Sequence, residues 1–138
     1  MTVKKTIDSS FGDMEFQYLW KKKDTIVLWE KEFPVEVHVS DLDEEGILPV
    51  QREVYQRVWG RIPELVEANK DALKKYIREL AGASLSEHIA NYLTPRSVLF
   101  HRDGTWGILF DCVFDPEHGV ALFFDGEKPQ VSGQDKFI

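Results

Sequence analysis

The last third of the sequence concentrates side chains that can do chemistry. Carboxylates, an imidazole and an amide occur close together there, on either side of a glycine. Oxygen-rich groups suit Ca²⁺, Mg²⁺ or Mn²⁺, and a carboxylate beside an imidazole suits acid–base catalysis. The members of this candidate motif, functional or structural, are Asp111, Asp115, Glu117, His118, Gly119, Gln134 and Asp135.

A divalent-metal site is one interpretation of the motif, and a structural role is the other. The spacing fits neither an EF-hand loop nor a zinc site, which would need a second ligand pair. Asp115 can instead close a turn through its own backbone, and His118 can hydrogen-bond Asp111 or a strand carbonyl. Gly119 supplies the conformational freedom that such a turn needs. The motif is therefore expected to be structural unless its oxygens and nitrogen converge on an open pocket.

A small hydrolase is the other chemical alternative for the Asp111–His118 region. Either Asp111 or Glu117 could form an acid–base pair with His118. No Gly-x-Ser-x-Gly elbow supplies a nucleophile, and Cys112 shares the strand face of its aromatic neighbours, where a cysteine is expected to be buried. No catalytic residue is assigned on this basis. No cofactor is expected either, because the chain contains no dinucleotide or P-loop fingerprint.

A second candidate site is an acidic loop formed by Asp41, Asp43, Glu44 and Glu45. The 138-residue chain has a net charge of −7. Residues 1–46 carry −5 and residues 96–138 carry −3, whereas the segment between them carries +1. This balance argues against nucleic acid and against an anionic membrane surface, and it favours a basic protein partner.

The secondary structure predicted around these residues follows the order strands, helices, strands. The pattern predicts one α+β domain over residues 1–138, with an antiparallel sheet of about seven strands in two meanders. Two main helices and a short third helix are expected between the meanders, packed on one face. Apolar residues recur every four positions from Val50 to Ile62, and Gly82 is typical of a helix end.

Local signals set the expected boundaries of the strands. Alternation from Met14 to Trp20 predicts one strand, and Lys21–Asp24 is expected to form a turn after it. Asp103-Gly104 predicts a tight hairpin, and Asp125-Gly126 predicts another turn.

The number of cysteines and the first residues of the sequence indicate the cellular compartment of the protein. Cys112 is the one cysteine, and no apolar segment follows the first lysines. No apolar run is long enough to cross a bilayer. These features predict the cytoplasm.

The C-terminal third resembles the signature of a family of small bacterial proteins that is defined only as a domain of unknown function. The resemblance rests on FDCVFDPEHGVALFFDG at 110–126 and VSGQD at 131–135, with Leu93-Thr94-Pro95 before them. The motif of the family that this segment resembles is roughly Asp-Cys-x-Trp-Asp-Pro-Glu-His-Gly. It is followed by Asp-Gly and then by Gly-x-Gln-Asp. Phe114 replaces the tryptophan and keeps an aromatic ring.

This resemblance implies a bacterial source and a loose association with toxin–immunity neighbourhoods. Proteins of this kind are similar to those found near polymorphic toxin systems, some of which act as immunity proteins. The expected function is therefore a non-enzymatic, protein-binding module of the cytoplasm, with an immunity role implied by the resemblance. The alternative is a small hydrolase or divalent-metal-binding protein.

Overall fold

The computed structural model describes residues 4–41, 45–82 and 88–137. Within these ranges, eight strands form one sheet and are hydrogen-bonded in chain order. The first four are β1 (Lys4–Asp8), β2 (Gly12–Phe16), β3 (Trp20–Leu28) and β4 (Lys31–Val39). The last four are β5 (Leu93–Phe100), β6 (Trp106–Cys112), β7 (Val120–Asp125) and β8 (Lys128–Ser132). The α+β class is confirmed, and the strand number is close to the expected one.

The sheet consists of two antiparallel meanders that meet at one parallel pair. Strands β1–β4 pair antiparallel with their neighbours, and so do β5–β8. Strands β4 and β5 run parallel, with Glu36 opposite Ser97 and Val39 opposite Phe100. Parallel neighbours need a long crossover connection. The helical block supplies that crossover, which is why it lies between the meanders.

Three helices form the crossover: α1 (Pro49–Val58), α2 (Ile62–Ala68) and α3 (Lys70–Ala81). One 3₁₀ turn joins α1 to α2, so residues 49–68 form one bent helical arm and α3 forms the second. The proline at the first position of α1 suits a helix start, and Gly82 ends α3 with φ of +65°. A 3₁₀ turn occupies Ile89–Asn91, where a short helix is expected.

The helices cover one face of the sheet and bury the main core against it. Helix residues such as Val54, Ile62 and Leu73 share one apolar cluster with Val37 and Ile108 from the strands. The side chain of Gln51 is fully buried and ties α1 to the sheet. Its Nε2 donates to the carbonyl oxygens of Ser40 and Phe100 at 2.9 and 3.2 Å, at the ends of β4 and β5.

The other face of the sheet, here called the open face, has a much smaller apolar cluster. Leu99, Leu109 and Ala121 lie on it, with Phe123 packed beside them. A C-terminal segment, residues 133–137, crosses this part of the face and places Phe137 on the cluster. The ring centroids of Phe123 and Phe137 are 4.9 Å apart.

Two predictions about the N-terminal meander are wrong. Lys21–Asp24 lies within β3 rather than in a turn. The predicted strand from Met14 to Trp20 is interrupted, because Tyr18 adopts φ of +68° and the chain reverses there. Tight pairing of β3 with β4 along its whole length holds the lysines in the sheet.

No helix among the described residues is long and apolar enough to cross a membrane.

Candidate functional site

The connection between β6 and β7 is a tight loop built by Asp115. The backbone N–H of His118 donates to Asp115 Oδ1 at 3.1 Å, and His118 Nδ1 lies 3.2 Å from the same oxygen. The N–H of Gly119 donates to the carbonyl oxygen of Asp115 at 2.8 Å. Asp115 therefore acts as a turn-forming residue, in the way that aspartates organise loops through their own backbone.

The charges of carboxylates from two segments act on the His118 imidazole. The hydrogen bond to Asp115 raises the pKa of His118, and the charges of Asp115, Glu117 and Asp135 raise it further. Burial raises the pKa of the Tyr76 phenol from α3, with Asp115 and Asp135 adding to the effect. The structure therefore brings together four of the predicted residues, and it adds a tyrosine that the sequence alone does not connect with them.

Gln134 fastens the C-terminal segment to the same loop. Its backbone N–H donates to the carbonyl oxygen of His118 at 3.1 Å, and its Nε2 donates to that of Phe110 at 3.4 Å. Arg96 Nη2 donates to Gln134 Oε1 at 2.6 Å. Gln134, which is buried, thus joins the segment to the loop through its backbone and to β6 and β5 through its side-chain amide.

Gly119 is required where Gln134 approaches. Its φ is +60°, a region that favours glycine. A Cβ there would collide with the Gln134 side chain and would lie 2.5 Å from the carbonyl oxygen of Phe110. The glycine therefore permits the close packing of loop, strand and C-terminal segment.

Asp111 lies at the edge of this arrangement rather than within it. It is exposed, and its Oδ1 lies 3.5 Å from Nη1 of Arg96, the residue that forms the bulge in β5. Across residues 4–41, 45–82 and 88–137, no three His, Cys, Asp or Glu side chains are grouped so that they could hold a metal ion. Cys112 is buried, as its position beside the aromatic residues of β6 predicts.

Two apolar side chains are exposed beside these polar groups. Val113 is 61% exposed and Phe114 is 39% exposed. The Phe114 ring stacks on Tyr92 with centroids 5.4 Å apart. We call the exposed residues of this region the corner surface: Asp111, Val113, Phe114, Glu117, His118 and Asp135.

The acidic loop near residue 41 has a different construction. Asp41 is only 1% exposed, and its carboxylate accepts from Trp20 Nε1 at 3.0 Å and from the backbone N–H groups of Glu45 and Gly46. Burial alone raises the pKa of Asp41, but these hydrogen bonds and nearby Arg102 hold it below its ordinary value. Asp41 therefore organises the loop from beneath the surface. Glu45 is exposed, and Asp43 and Glu44 lie outside the described residues.

A groove on the open face runs along the parallel β4–β5 pair and has a volume of about 720 Å³. We call it the seam groove. Its lining is mostly apolar, with charged or polar groups at intervals: Leu19, Lys23, Pro34, Val35, Glu36, His38, Ser40, Arg96, Ser97, Leu99, His101 and Leu109. Glu36, His38 and His101 are not among the candidate residues that the sequence indicates. The parallel pairing of β4 with β5 brings these residues together, and no local sequence pattern predicts that pairing.

One family model matches residues 10–138, and its description is "Domain of unknown function (DUF6985)". The chain belongs to this family. The match confirms the expectation of a family defined without a function, and it covers strands β2–β8 and the helices between them. No curated protein and no solved structure matches the chain.

Proposed function

We propose that the protein is a non-enzymatic protein-binding module whose corner surface docks on a basic partner protein. The observation that carries the proposal is the exposure of Val113 and Phe114 among carboxylates. A small apolar centre with a polar rim is the usual anatomy of a protein–protein contact. Tight binding in such contacts depends on a few anchors, often aromatic.

Phe114 has the properties expected of an anchor. Stacking on Tyr92 fixes its ring before a partner arrives, so little side-chain freedom is lost on binding. Val113 follows the end of β6, and its backbone N–H donates to the carbonyl oxygen of Tyr92 at 3.1 Å. The two apolar side chains are therefore presented by a backbone that is already ordered.

Charge favours a basic partner over an acidic one. The corner surface also includes the exposed carboxylates of Asp111, Glu117 and Asp135, and the whole chain carries −7. Complementary charge at the rim accelerates association and rejects partners of the wrong sign. A basic toxin neutralised by an immunity protein would satisfy these requirements, and this is the finer form of the proposal.

The internal use of the motif also supports binding rather than catalysis. Asp115 builds the loop, Gln134 fastens the C-terminal segment, and Gly119 makes room for it. A hydrolase would need a nucleophile beside His118, but among the described residues the imidazole hydrogen-bonds to Asp115 and to no hydroxyl or thiol. We place the module in a reducing compartment, the bacterial cytoplasm, where the buried thiol of Cys112 remains unpaired.

The test begins with affinity capture on the wild-type chain from a bacterial lysate, followed by purification of the captured protein. The proposal requires a basic protein that binds the purified chain at 1:1 stoichiometry in isothermal titration calorimetry. Its affinity must fall as salt rises, because the rim contacts are ionic. Addition of a metal chelator should leave the affinity unchanged.

Three variants locate the contact. Val113→Ser removes an exposed apolar group, and Glu117→Lys/Asp135→Lys reverses two rim charges. Each should weaken binding about tenfold or more, within the range of interface hot spots. Asp125→Lys/Glu127→Lys makes the same change of charge at exposed positions of the β7–β8 turn and should leave most of the affinity. Equal losses in both charge reversals would contradict the corner surface as the contact.

A further inference from the structure

We infer that the seam groove is a binding site for a small anion with an elongated apolar body, such as an aryl carboxylate. The inference concerns the open face and does not depend on the corner surface. It rests on the shape of the groove, on the order of residues along it and on the charges at its two ends.

The shape of the groove fits a small molecule. Its volume of about 720 Å³ lies within the usual range for ligand pockets, which are mostly apolar with a few placed polar groups. From Glu36 to Ser40 the groove follows four residues of extended chain, a length of about 13 Å. Leu99 and Leu109 form part of the apolar lining along this length.

One end of the groove is cationic. In the sheet register Lys23 lies opposite Glu36, and Glu36 lies opposite Ser97. Arg96 precedes Ser97 at the bulge of β5, so the lysine and the arginine line the groove from two different strands. An anionic group entering between them would gain charge-assisted hydrogen bonds.

The carboxylate of Glu36 does not cancel this preference, because it already has partners. It accepts a hydrogen bond from His38 Nε2, and this bond, with the charges of His38, Lys21 and Lys23, holds the pKa of Glu36 below its ordinary value. Its negative charge is thus compensated by its own neighbours. Lys21 and Lys23 carry two positive charges beside this one carboxylate, so this end of the groove keeps a net positive charge. Arg96 already donates to Gln134 Oε1 and lies 3.5 Å from Asp111, so Lys23 is the principal cation of the lining.

The opposite end of the groove is polar but satisfied within the protein. His101 Nε2 lies 3.0 Å from the carbonyl oxygen of Phe137, which only accepts, so this nitrogen carries the proton. His101 Nδ1 then accepts from the Ser40 hydroxyl at 3.1 Å. These groups are already hydrogen-bonded within the protein, so they do not compete for the anionic end of the ligand. The ligand is oriented with its anion toward Lys23 and Arg96.

The test uses biphenyl-4-carboxylate as the probe, with the full chain. Biphenyl-4-methanol and biphenyl-4-ylmethylamine have the same body with neutral and cationic ends. Calorimetry should give an affinity for the carboxylate about tenfold higher than for the alcohol, and higher again than for the amine. Methyl NMR signals of Leu19, Leu99 and Leu109 should shift on binding, because all three side chains line the groove.

Variants at Lys23 identify the anion contact. Lys23→Gln should weaken carboxylate binding about fivefold and leave alcohol binding unchanged, while Lys23→Arg should retain the preference for the carboxylate. Lys5→Gln removes the same charge from β1, outside the groove, and should change neither affinity. Circular dichroism of each variant checks that it folds.

Two results would overturn the inference. One is an alcohol or amine that binds as tightly as the carboxylate. The other is an absence of binding by the carboxylate at millimolar concentration, with the three leucine methyl signals unmoved. The corner-surface variant Val113→Ser is expected to bind the probe with wild-type affinity, which keeps this test separate from that of the partner protein.

Discussion

The two faces of the sheet are closed in different ways, and the contrast explains where binding surfaces arise. Helices cover one face and merge with it into a single large apolar core. A short C-terminal segment covers only part of the other face, above a small cluster. The covered face supplies stability, whereas the partly covered face retains a groove and an exposed corner. Four predictions test this contrast.

The first prediction compares neighbouring residues of β6 that point to opposite faces. Ile108 is fully buried under the helices, and Leu109 is buried on the open face. Ile108→Ala should lower the free energy of unfolding by about 4 kcal/mol, and Leu109→Ala should lower it by about 2 kcal/mol. The loss at Leu109 is smaller because the thin apolar layer on the open face can relax into the cavity that the substitution leaves. Urea denaturation measures both. Equal losses would show that the two faces are packed equally well.

The second prediction concerns the glycine beneath the C-terminal segment. Gly119→Ala should cost about 3 kcal/mol, because the positive φ and the collision with Gln134 and Phe110 act together. Gly126→Ala is the matched control, since Gly126 also has positive φ but an added Cβ meets no atom within 4 Å. It should cost about 1 kcal/mol. If the two variants lose the same stability in thermal or urea unfolding, the collision contributes nothing.

The third prediction compares two buried glutamines. Gln51 joins helix α1 to one face of the sheet, and Gln134 joins the C-terminal segment to the other face. Gln51→Ala removes one donor from the Ser40 and Phe100 carbonyls and the side-chain acceptor of the Leu48 N–H, and it should cost about 2 kcal/mol. Gln134→Ala should cost about 1 kcal/mol, because the guanidinium of Arg96 can turn to water. Hydrogen exchange would separate the two effects. The first variant should speed exchange near α1, and the second should speed it only near residues 133–137.

The fourth prediction is a pH effect confined to the corner. The pKa of His118 is raised in the folded protein by Asp115, Glu117 and Asp135. The protonated His118 imidazole therefore stabilises the folded protein fully at pH values below the unfolded-state pKa of about 6.5. This stabilisation is lost as pH rises through the raised pKa of the folded state. His118→Gln should remove this part of the pH profile, whereas His88→Gln should not. NMR titration of the imidazole checks the direction, and a lowered pKa would contradict it.

Local chemistry made the C-terminal meander predictable from sequence. Two Asp-Gly pairs, at 103–104 and 125–126, predict turns. Both glycines adopt positive φ, as such turns require. The alternation around Phe110 placed Cys112 inside and Asp111 outside, and both positions agree with the structure. Gly82 ends its helix in the left-handed conformation that its position predicts.

Long-range pairing made the rest unpredictable. Lys21–Asp24 has the composition of a turn, yet pairing with β4 holds it in a strand. Glu36 and His38 on β4 meet Ser97 and Leu99 on β5 only because those strands run parallel, and no short pattern encodes that choice. Arg96 enters the corner through a bulge that depends on its partner strand. The seam groove therefore depends on long-range strand pairing and could not be predicted. The motif at 111–135 consists of residues close together in sequence and could be recognised from the sequence alone.

The parallel pairing of β4 with β5 also has a consequence for how the chain folds. Each meander joins strands that are close in sequence, so each can begin to form on its own through local contacts. The β4–β5 pairing instead joins residues 61 positions apart, as with Glu36 and Ser97. Closing that long loop costs chain entropy before its contacts return any stability. We expect the docking of the two meanders to limit the folding rate, with the helical crossover acting as the tether that brings them together.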